Sequence, residues 1–360
     1  MPLESILEKI LAGDTLEREE LVRIIEPRSE DERRAIRAAA REMRRRTTGP
    51  LIFTYGFVYL STFCRNDCRF CAYRGSNPEA LRYRKKGDEV LDASRRLAEQ
   101  GVNLIDLTMG EDPATDQADY VAEIAALIRE VKEAVNLPVM ISPGVIRPEA
   151  LGAFYEAGAD WYACYQETHN RDLFARLRQN QSYDTRWQAK VEAQRIGLLT
   201  EEGVLCGVGE SAGDLADSIL AMKALGARQV RAMGFVPPAE SENDSAGGWV
   251  SSPTAGEAQQ REVDMIAALR LALPQCLIPA SLDVEGLAGL KSRLEAGANL
   301  ITSLVPADLD FAGVAQASLD INNQARSISG VAPVVAECGL KLAGVDEYRR
   351  WLNEAGRHEF

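Results

Sequence analysis

The stretch LIFTYGFVYLSTFCRNDCRFC, residues 51–71, decides the fold and points to the chemistry. Its first half, 51–61, is rich in apolar and β-branched residues and predicts a buried strand. Its second half carries three cysteines within eight residues, Cys64, Cys68 and Cys71. In α/β barrels the chemistry lies at the carboxyl ends of the strands. A buried strand that runs directly into clustered thiols therefore predicts the first strand of such a fold and its first functional loop.

The rest of the chain repeats the strand pattern in alternation with helix-patterned segments. Strands that alternate with helices indicate parallel βαβ units. Eight such units in about 260 residues predict an α/β fold, a (β/α)8 TIM-type barrel. A doubly wound open sheet is the alternative, but no GxGxxG motif follows the first strand. The seven further runs cover residues 103–109, 138–142, 160–165, 203–208, 229–235, 276–283 and 299–305.

Helical patterns flank the predicted barrel on both sides. Residues 2–46 contain three of them, and Ser29 with acidic residues behind it is typical of a helix N-terminus. The segment 47–50, TTGP, then breaks the pattern. We expect three parts, which are an N-terminal helical extension over 1–49, the barrel over 50–325 and a C-terminal helical tail over 326–360 that packs on the barrel.

The composition restricts the classes of partner. The chain has 360 residues and a formal net charge of −13, so bulk electrostatics do not favour nucleic acid or an anionic membrane surface. The basic run 44–46 is then more typical of a solvated helix face than of a binding patch. No run of about 18 apolar residues occurs, and the first residues lack the apolar stretch of a secretory signal. We expect a cytoplasmic monomer with no nucleic-acid or membrane partner.

The seven cysteines divide into two groups. An odd number in a large chain with no export signal argues against a disulfide scaffold. A single cysteine in apolar surroundings behaves as a small hydrophobic residue, so core packing is expected for four of them. These four are Cys164, Cys206, Cys276 and Cys338.

The other three cysteines form the pattern C-x3-C-x2-C, with Phe70 just before the last. Three thiolates this close on one loop converge on a single metal centre. A [4Fe–4S] cube normally takes four thiolates, so three leave one iron open to another ligand. Zinc is the alternative, but the chain offers only two histidines, His169 and His358, and no second CxxC pair to complete a zinc site. The spacing therefore favours an iron–sulfur cluster.

At this motif the chain resembles the radical S-adenosylmethionine (SAM) superfamily, and in particular its biotin-synthase-like branch. The stretch 108–111, TMGE, stands where the family has Gly-Gly-Glu, and 203–210, GVLCGVGE, fits its G-x-I-x-G-x-x-E pattern. The resemblance implies a [4Fe–4S] cluster on the three cysteines and SAM as second cofactor. It places the SAM contacts on Gly110, Glu111, Ser142, Glu167, Arg186 and Gly207.

Over nearly its whole length the chain is more closely similar to the methylornithine synthase family of pyrrolysine biosynthesis. The segments that carry this similarity include 106–113, DLTMGEDP, 165–169, YQETH, and 278–287, IPASLDVEGL. The chain departs from the family just beyond the cysteines, where AYRG stands in place of a Cys- and aromatic-rich stretch. The family's substrate contacts fall on Asp106, Arg231, Ser281 and Asp283.

The charges of these residues can be interpreted without the family. An ionised side chain in a barrel strand either faces a solvated mouth or needs a partner, because burying it alone is prohibitive. One cation and two carboxylates complement lysine, which carries one carboxylate and two ammonium groups. Arg231 would clamp the carboxylate in a bidentate pair, and Asp106 and Asp283 would take the ammonium groups. The alternative is a structural Arg–Asp pair inside the barrel.

The resemblance implies a radical SAM isomerase that converts L-lysine to 3-methylornithine. An adenosyl radical would take a hydrogen from lysine, and the carbon chain would fragment and rejoin. We expect no catalytic acid or base with a tuned pKa, and we expect an electron donor such as a flavodoxin or ferredoxin. Two other functions remain open, a radical SAM enzyme of the same branch with another substrate and a zinc-stabilised binding protein without catalysis.

Overall fold

The computed structural model describes residues 2–236, 255–283, 285–306 and 326–355. It begins with three helices, α1 (Leu3–Leu11), α2 (Arg18–Ile25) and α3 (Glu30–Thr47). The hydroxyl of Ser29 accepts a 3.2 Å hydrogen bond from the backbone N–H of Glu32, so α3 begins where the sequence predicts.

The remaining elements alternate between strands and helices, apart from one two-stranded ribbon, which Asp67–Cys68 and Arg178–Gln179 form, and the short strand Lys341–Leu342, which pairs with the first strand. The strands are β1 (Leu51–Ser61), β2 (Asp67–Cys68), β3 (Leu104–Met109), β4 (Val139–Ser142), β5 (Trp161–Ala163), β6 (Arg178–Gln179), β7 (Leu199–Cys206), β8 (Gln229–Gly234), β9 (Pro279–Ser281), β10 (Leu300–Leu304) and β11 (Lys341–Leu342). The helices are α4 (Gly87–Gln100), α5 (Ala118–Val135), α6 (Pro148–Glu156), α7 (Arg171–Leu177), α8 (Tyr183–Arg195), α9 (Ala212–Leu225), α10 (Ala255–Ala272), α11 (Leu290–Glu295), α12 (Ile328–Glu337) and α13 (Val345–Ala355).

Eight parallel strands form one curved sheet in the order β8-β7-β5-β4-β3-β1-β10-β9. Its two edges meet at a parallel bridge between Gln229 and Leu277, where Val230 donates a 2.9 Å backbone hydrogen bond to Leu277. The sheet is therefore a nearly closed barrel, and the predicted (β/α)8 fold is confirmed. Seven of the eight predicted apolar runs contain one of these strands, and the eighth overlaps β7, which begins at Leu199, four residues before the predicted 203.

The amino end of the barrel is covered by the last helix. On α13, Trp351 stacks on Trp161 of β5 with ring centroids 5.9 Å apart, and Tyr348 meets Phe53 of β1 edge-on at 5.4 Å. Strand β11 pairs with the first residues of β1 and leads into this helix. These aromatic rings continue the apolar core beyond the strands and close the barrel at this end.

The four scattered cysteines are free thiols, and Cys164, Cys206 and Cys276 are buried. The basic run on α3 departs in part from the expected solvated face. Arg45 and Arg46 lie at the surface and pair with Glu42, but Arg44 is buried and donates to backbone carbonyls near α11. Its guanidinium thereby attaches α3 to the barrel. Within the described ranges no helix is long and apolar enough to cross a membrane.

Candidate active site

The three clustered cysteines lie in the loop between β1 and α4, at the carboxyl end of the barrel. Burial, together with the neighbouring thiols of Cys68 and Cys64, raises the pKa of Cys71 to about 12. Burial and Cys68 likewise raise the pKa of Cys64. The three thiols therefore lie within electrostatic range of one another in this loop.

The spacing of these sulfurs bears on the kind of metal centre. Across the described part of the chain, no three Cys, His, Asp or Glu side chains lie close enough to hold a single metal ion. In a [4Fe–4S] cube each thiolate binds a different iron, which requires wider spacing. His169 is buried between Trp187 and Glu202, and burial lowers its pKa to about 4. His358 lies outside the described residues. The donor set therefore fits a cluster better than a zinc ion.

Two carboxylate–guanidinium pairs stand beside the cysteines. Glu111, after β3, binds Arg186 of α8 at 2.6 Å, and Glu167, after β5, binds Arg178 of β6 at 2.9 Å. The carbonyl of Tyr165 accepts a hydrogen bond from each guanidinium, at 2.7 Å from Arg186 and 2.9 Å from Arg178. The predicted SAM residues Glu111, Glu167 and Arg186 thus come together, and Arg178 joins them without having been predicted.

Glycine is required at two turns around these pairs. A Cβ atom on Gly110 would lie 2.4 Å from the carbonyl oxygen of Phe63, so the loop after β3 lies against the cysteine loop only because residue 110 is glycine. Gly144 has φ +70°, and a Cβ there would lie 2.0 Å from the side chain of Glu111. Gly207, in contrast, belongs to a turn whose N–H donates to the carboxylate of Glu210 at 2.8 Å.

The predicted substrate residues converge inside the barrel, below this loop. Burial raises the pKa of Asp106 to about 7, and the neighbouring Glu201 and Asp283 add to the shift, whereas Ser142 and Arg231 oppose it. Ser142, predicted to contact SAM, donates a 2.8 Å hydrogen bond to Asp106. The structure therefore places Ser142 beside the substrate candidates. A tuned carboxyl group was not expected from the sequence.

On the opposite side of the pore, Ser281 and Asp283 form a pair at the end of β9. The Ser281 hydroxyl donates to one carboxylate oxygen of Asp283 at 2.8 Å and lies 3.3 Å from the hydroxyl of Ser303. The other oxygen of Asp283 is buried and accepts no hydrogen bond from the described residues, although Nη1 of Arg326 lies 3.8 Å away. One carboxylate oxygen is thus oriented and available.

Arg231 has a partner that was missed in the sequence. Its Nε donates to Glu201 at 2.7 Å, Nη1 lies 3.3 Å from the hydroxyl of Thr302, and Nη2 donates to Tyr55. The predicted two-point clamp cannot use the Nε side of the guanidinium, because Glu201 occupies it. Only the Nη1–Nη2 edge remains for a substrate carboxylate. The structural acid–base pair inside the barrel therefore exists, and its acid is a glutamate.

The sequence carried a signal for Glu201. Strand β7 starts four residues earlier than its apolar run, and Glu201 has the same parity as Gly203, which is paired with Arg231 in the sheet. Side chains with this parity point to one face of the sheet. The two adjacent glutamates, Glu201 and Glu202, interrupt the apolar pattern at the start of β7. The sequence therefore did not show that Glu201 belongs to the strand and faces Arg231.

The chain is similar to several known proteins. Residues 58–221 match the radical SAM superfamily. The chain is 36% identical to a 3-methylornithine synthase from Methanosarcina acetivorans over 97% of both chains. A crystal structure of methylornithine synthase (PylB) superposes with a TM-score of 0.86 at 33% identity, over 96% of this chain and 99% of that one. The hydrogenase maturase subunit HydE from Thermotoga maritima is 29% identical over 73% of this chain and 72% of its own.

The barrel and its three-cysteine loop define a radical SAM enzyme, whose cofactors are a [4Fe–4S] cluster and SAM. Among such enzymes, the chain belongs to the 3-methylornithine synthase family.

Proposed function

We propose that this protein is a lysine mutase that converts L-lysine to 3-methylornithine, the step that opens pyrrolysine biosynthesis. The observation that carries the proposal is the charge arrangement of the pore. Asp106 and Asp283 face a space that also holds Arg231, with Glu201 on the Nε side of that arginine and Arg326 3.8 Å from Asp283. Three carboxylates and two guanidinium groups leave one negative charge when all are ionised, which complements the net positive charge of lysine with its two ammonium groups and one carboxylate.

The residues around the pore mouth fit the two cofactors. Cys64, Cys68 and Cys71 would hold the cluster, and Glu111 and Arg186 would contact SAM together with the residues grouped around them. When bound, the reduced cluster and SAM supply a 5′-deoxyadenosyl radical, which is the hard chemical step of the reaction.

The pore residues bind and orient the substrate in this proposal. Asp106 and the available oxygen of Asp283 accept hydrogen bonds from the two ammonium groups, and Ser281 keeps Asp283 oriented. The Nη1–Nη2 edge of Arg231 faces the carboxylate. Each contact joins a charged donor to a charged acceptor in a buried site, where such hydrogen bonds are strongest.

Water exclusion is the second task of the chain. A reactive carbon fragment must stay bound until it rejoins its partner, which requires a closed and pre-organised space. The aromatic rings of Trp351 and Tyr348 close the amino end of the barrel. Among the described residues, the end that carries the cysteines is then the side from which a substrate would enter.

The test is anaerobic incubation of the reconstituted enzyme with L-lysine, SAM and reductant, followed by mass and chiral analysis. We expect a product with the mass of lysine and the retention of 3-methylornithine. If lysine returns unchanged while SAM is cleaved in its presence, the enzyme has another substrate and the mutase proposal is wrong. Asp283→Asn should lose product while retaining slow SAM cleavage. The matched control is Asp217→Asn, an exposed aspartate paired with Arg18, which should leave activity unchanged.

Other expectations stay predictions. They are the division into 1–49, 50–325 and 326–360, the cytoplasmic location, the monomeric state and a flavodoxin or ferredoxin as reductant.

A further inference from the structure

A short antiparallel ribbon joins Cys68, the middle one of the three clustered cysteines, to the segment between α7 and α8. In it, β2 pairs antiparallel with β6, so that Cys68 stands opposite Arg178. The N–H of Arg69 extends the ribbon with a 2.9 Å hydrogen bond to the carbonyl of Leu177. The guanidinium of Arg178 lies 5.0 Å from the ring centre of Phe70, which packs it from one side. The position of Cys68 is therefore tied to that of Arg178 through both backbone and side chains.

Two side chains donate to the sulfur of Cys68. Nη1 of Arg178 lies 3.3 Å from Sγ, and Nε2 of Gln181 lies 3.0 Å from it. At the other two cysteines, the hydrogen bonds that act on the thiol come from backbone groups, since those of Asn66 and Glu111 lower the pKa of Cys64 and that of Tyr73 lowers the pKa of Cys71. Cys68 thus differs from its neighbours because one of its donors carries a full positive charge.

The orientation of the Gln181 amide follows from its surroundings. Its oxygen accepts from Nη1 of Arg178 and from Nη1 of Arg186, both at 3.3 Å. Two guanidinium groups bind only the oxygen of an amide, so the NH2 group must face Cys68. The same two arginines bind the carboxylates of Glu167 and Glu111. A continuous network therefore runs from the predicted SAM residues to one cysteine sulfur.

We propose that Arg178 and Gln181 are positioning residues that make the cluster easier to reduce, by hydrogen bonding to the sulfur of Cys68. The inference rests on the cluster bound by the three cysteines, and it does not depend on the identity of the substrate. One-electron reduction by an external donor adds negative charge to the cluster and its thiolates. A donor N–H stabilises the more negative state more strongly, and hydrogen bonds to the sulfurs are one of the factors that set cluster potentials.

The test is a redox titration of the anaerobically reconstituted holoenzyme, followed by EPR of the reduced cluster in the absence of lysine. Gln181→Leu should shift the midpoint to more negative potential. At a fixed solution potential we expect the ratio of reduced to oxidised cluster to fall about tenfold, which corresponds to a midpoint shift of about 59 mV for a one-electron couple. Arg178→Met removes a charged donor and should shift the midpoint further, whereas Arg178→Lys, which keeps the charge, should recover part of the loss.

The control is Arg171→Gln on α7, an exposed arginine paired with the exposed Asp184. Its midpoint should equal that of the parent enzyme. Gln181→Asn withdraws the amide by one methylene and gives the same test if the leucine variant fails to load iron. A variant at 181 with full iron and sulfide content and an unchanged midpoint would overturn the proposal. Because lysine is absent throughout, this result stands apart from the outcome of the mutase assay.

Discussion

The two ends of this barrel differ in the side chains that they bury, which are polar and charged at one end and aromatic at the other. At the carboxyl end, polar and charged groups are buried together, and three non-glycine residues, Glu167 at φ +68°, Asn180 at φ +60° and Ser303 at φ +66°, adopt the left-handed backbone region. At the amino end, Trp161, Trp351 and Tyr348 pack as rings against apolar strand residues. Positive φ at a non-glycine residue costs stability, and so does burial of polar groups.

This difference shows that the amino end stabilises the fold, whereas the carboxyl end costs stability and provides the site. The amino end supplies apolar contacts that no reaction requires. The carboxyl end accepts backbone strain, and an oxygen of Asp283 without a hydrogen bond, in a geometry that suits a charged substrate. Changes at the two ends should therefore affect different measurements, and the following variants test that separation in order of decreasing effect.

The largest effect is expected at the cysteine loop. Cys68→Ala removes one of three cluster ligands and should reduce radical formation below detection, because the cluster would no longer assemble with an iron open to SAM. The melting temperature of the metal-free protein should change little. Iron analysis, EPR and a thermal melt measure these quantities. Cys338→Ala, at a half-buried cysteine directly after α12, is the matched control and should retain the cluster and its activity. A Cys68→Ala protein with normal iron content and product formation would contradict the assignment of this ligand.

The second effect is expected at the aromatic amino end, where a substitution should lower the free energy of unfolding and leave turnover unchanged. Trp351→Ala deletes a ring that stacks on Trp161, and the loss should be about 3 kcal/mol in the free energy of unfolding, because truncating a packed aromatic leaves a cavity. Turnover per folded molecule should remain unchanged below the melting transition. Urea unfolding and single-temperature assays check both. Arg350→Ala, on the exposed side of α13, should alter neither. A large loss of turnover with Trp351→Ala would show that the two ends are coupled.

The sequence predicted the barrel and the cysteine cluster but not every residue of the candidate site. The barrel followed from the period and order of the apolar runs, and the cluster followed from three cysteines whose spacing is local. Arg178 could not be found in this way, because its role depends on a ribbon between residues more than a hundred positions apart. Glu201 was hidden for a different reason, since a charged residue at the start of a strand interrupts the apolar pattern that reveals the strand. Contacts between distant segments are the part that local patterns leave undetermined.

The third effect tests the acid that the sequence did not reveal. Glu201→Gln keeps the shape but removes the charge that holds Nε of Arg231. We expect the KM for lysine to rise roughly 30-fold, equivalent to about 2 kcal/mol for a hydrogen bond between charged groups. Tyr165→Phe deletes only the 2.9 Å hydrogen bond from the tyrosine hydroxyl to Glu201 and should cost a few-fold. An unchanged KM in Glu201→Gln would mean that Arg231 does not bind the substrate.

The smallest effect is a pH dependence at Asp106. Its pKa is raised to about 7 by burial, so the carboxyl is mostly protonated at pH 6 and mostly ionised at pH 8. An ammonium group prefers the ionised form, and the apparent affinity for lysine should therefore fall about tenfold from pH 8 to pH 6. Calorimetric titration of lysine into the oxidised holoenzyme measures this without turnover. Asp106→Asn should bind weakly at both pH values and show no such slope.

The Asp106 carboxyl should also make the free energy of unfolding depend on pH, and proton linkage gives the sign of that dependence. A folded pKa above the unfolded value of about 3.9 means that the folded state holds the proton more tightly, so stability falls as pH rises from about 4 to 7. Asp106→Asn removes that loss, and its advantage over the parent in urea unfolding should be larger at pH 8 than at pH 5. If the advantage is equal at both, the Asp106 carboxyl is not held in a buried site in solution. A variant that is more stable but no longer binds lysine would show directly that the charged end of the barrel sacrifices stability for substrate binding.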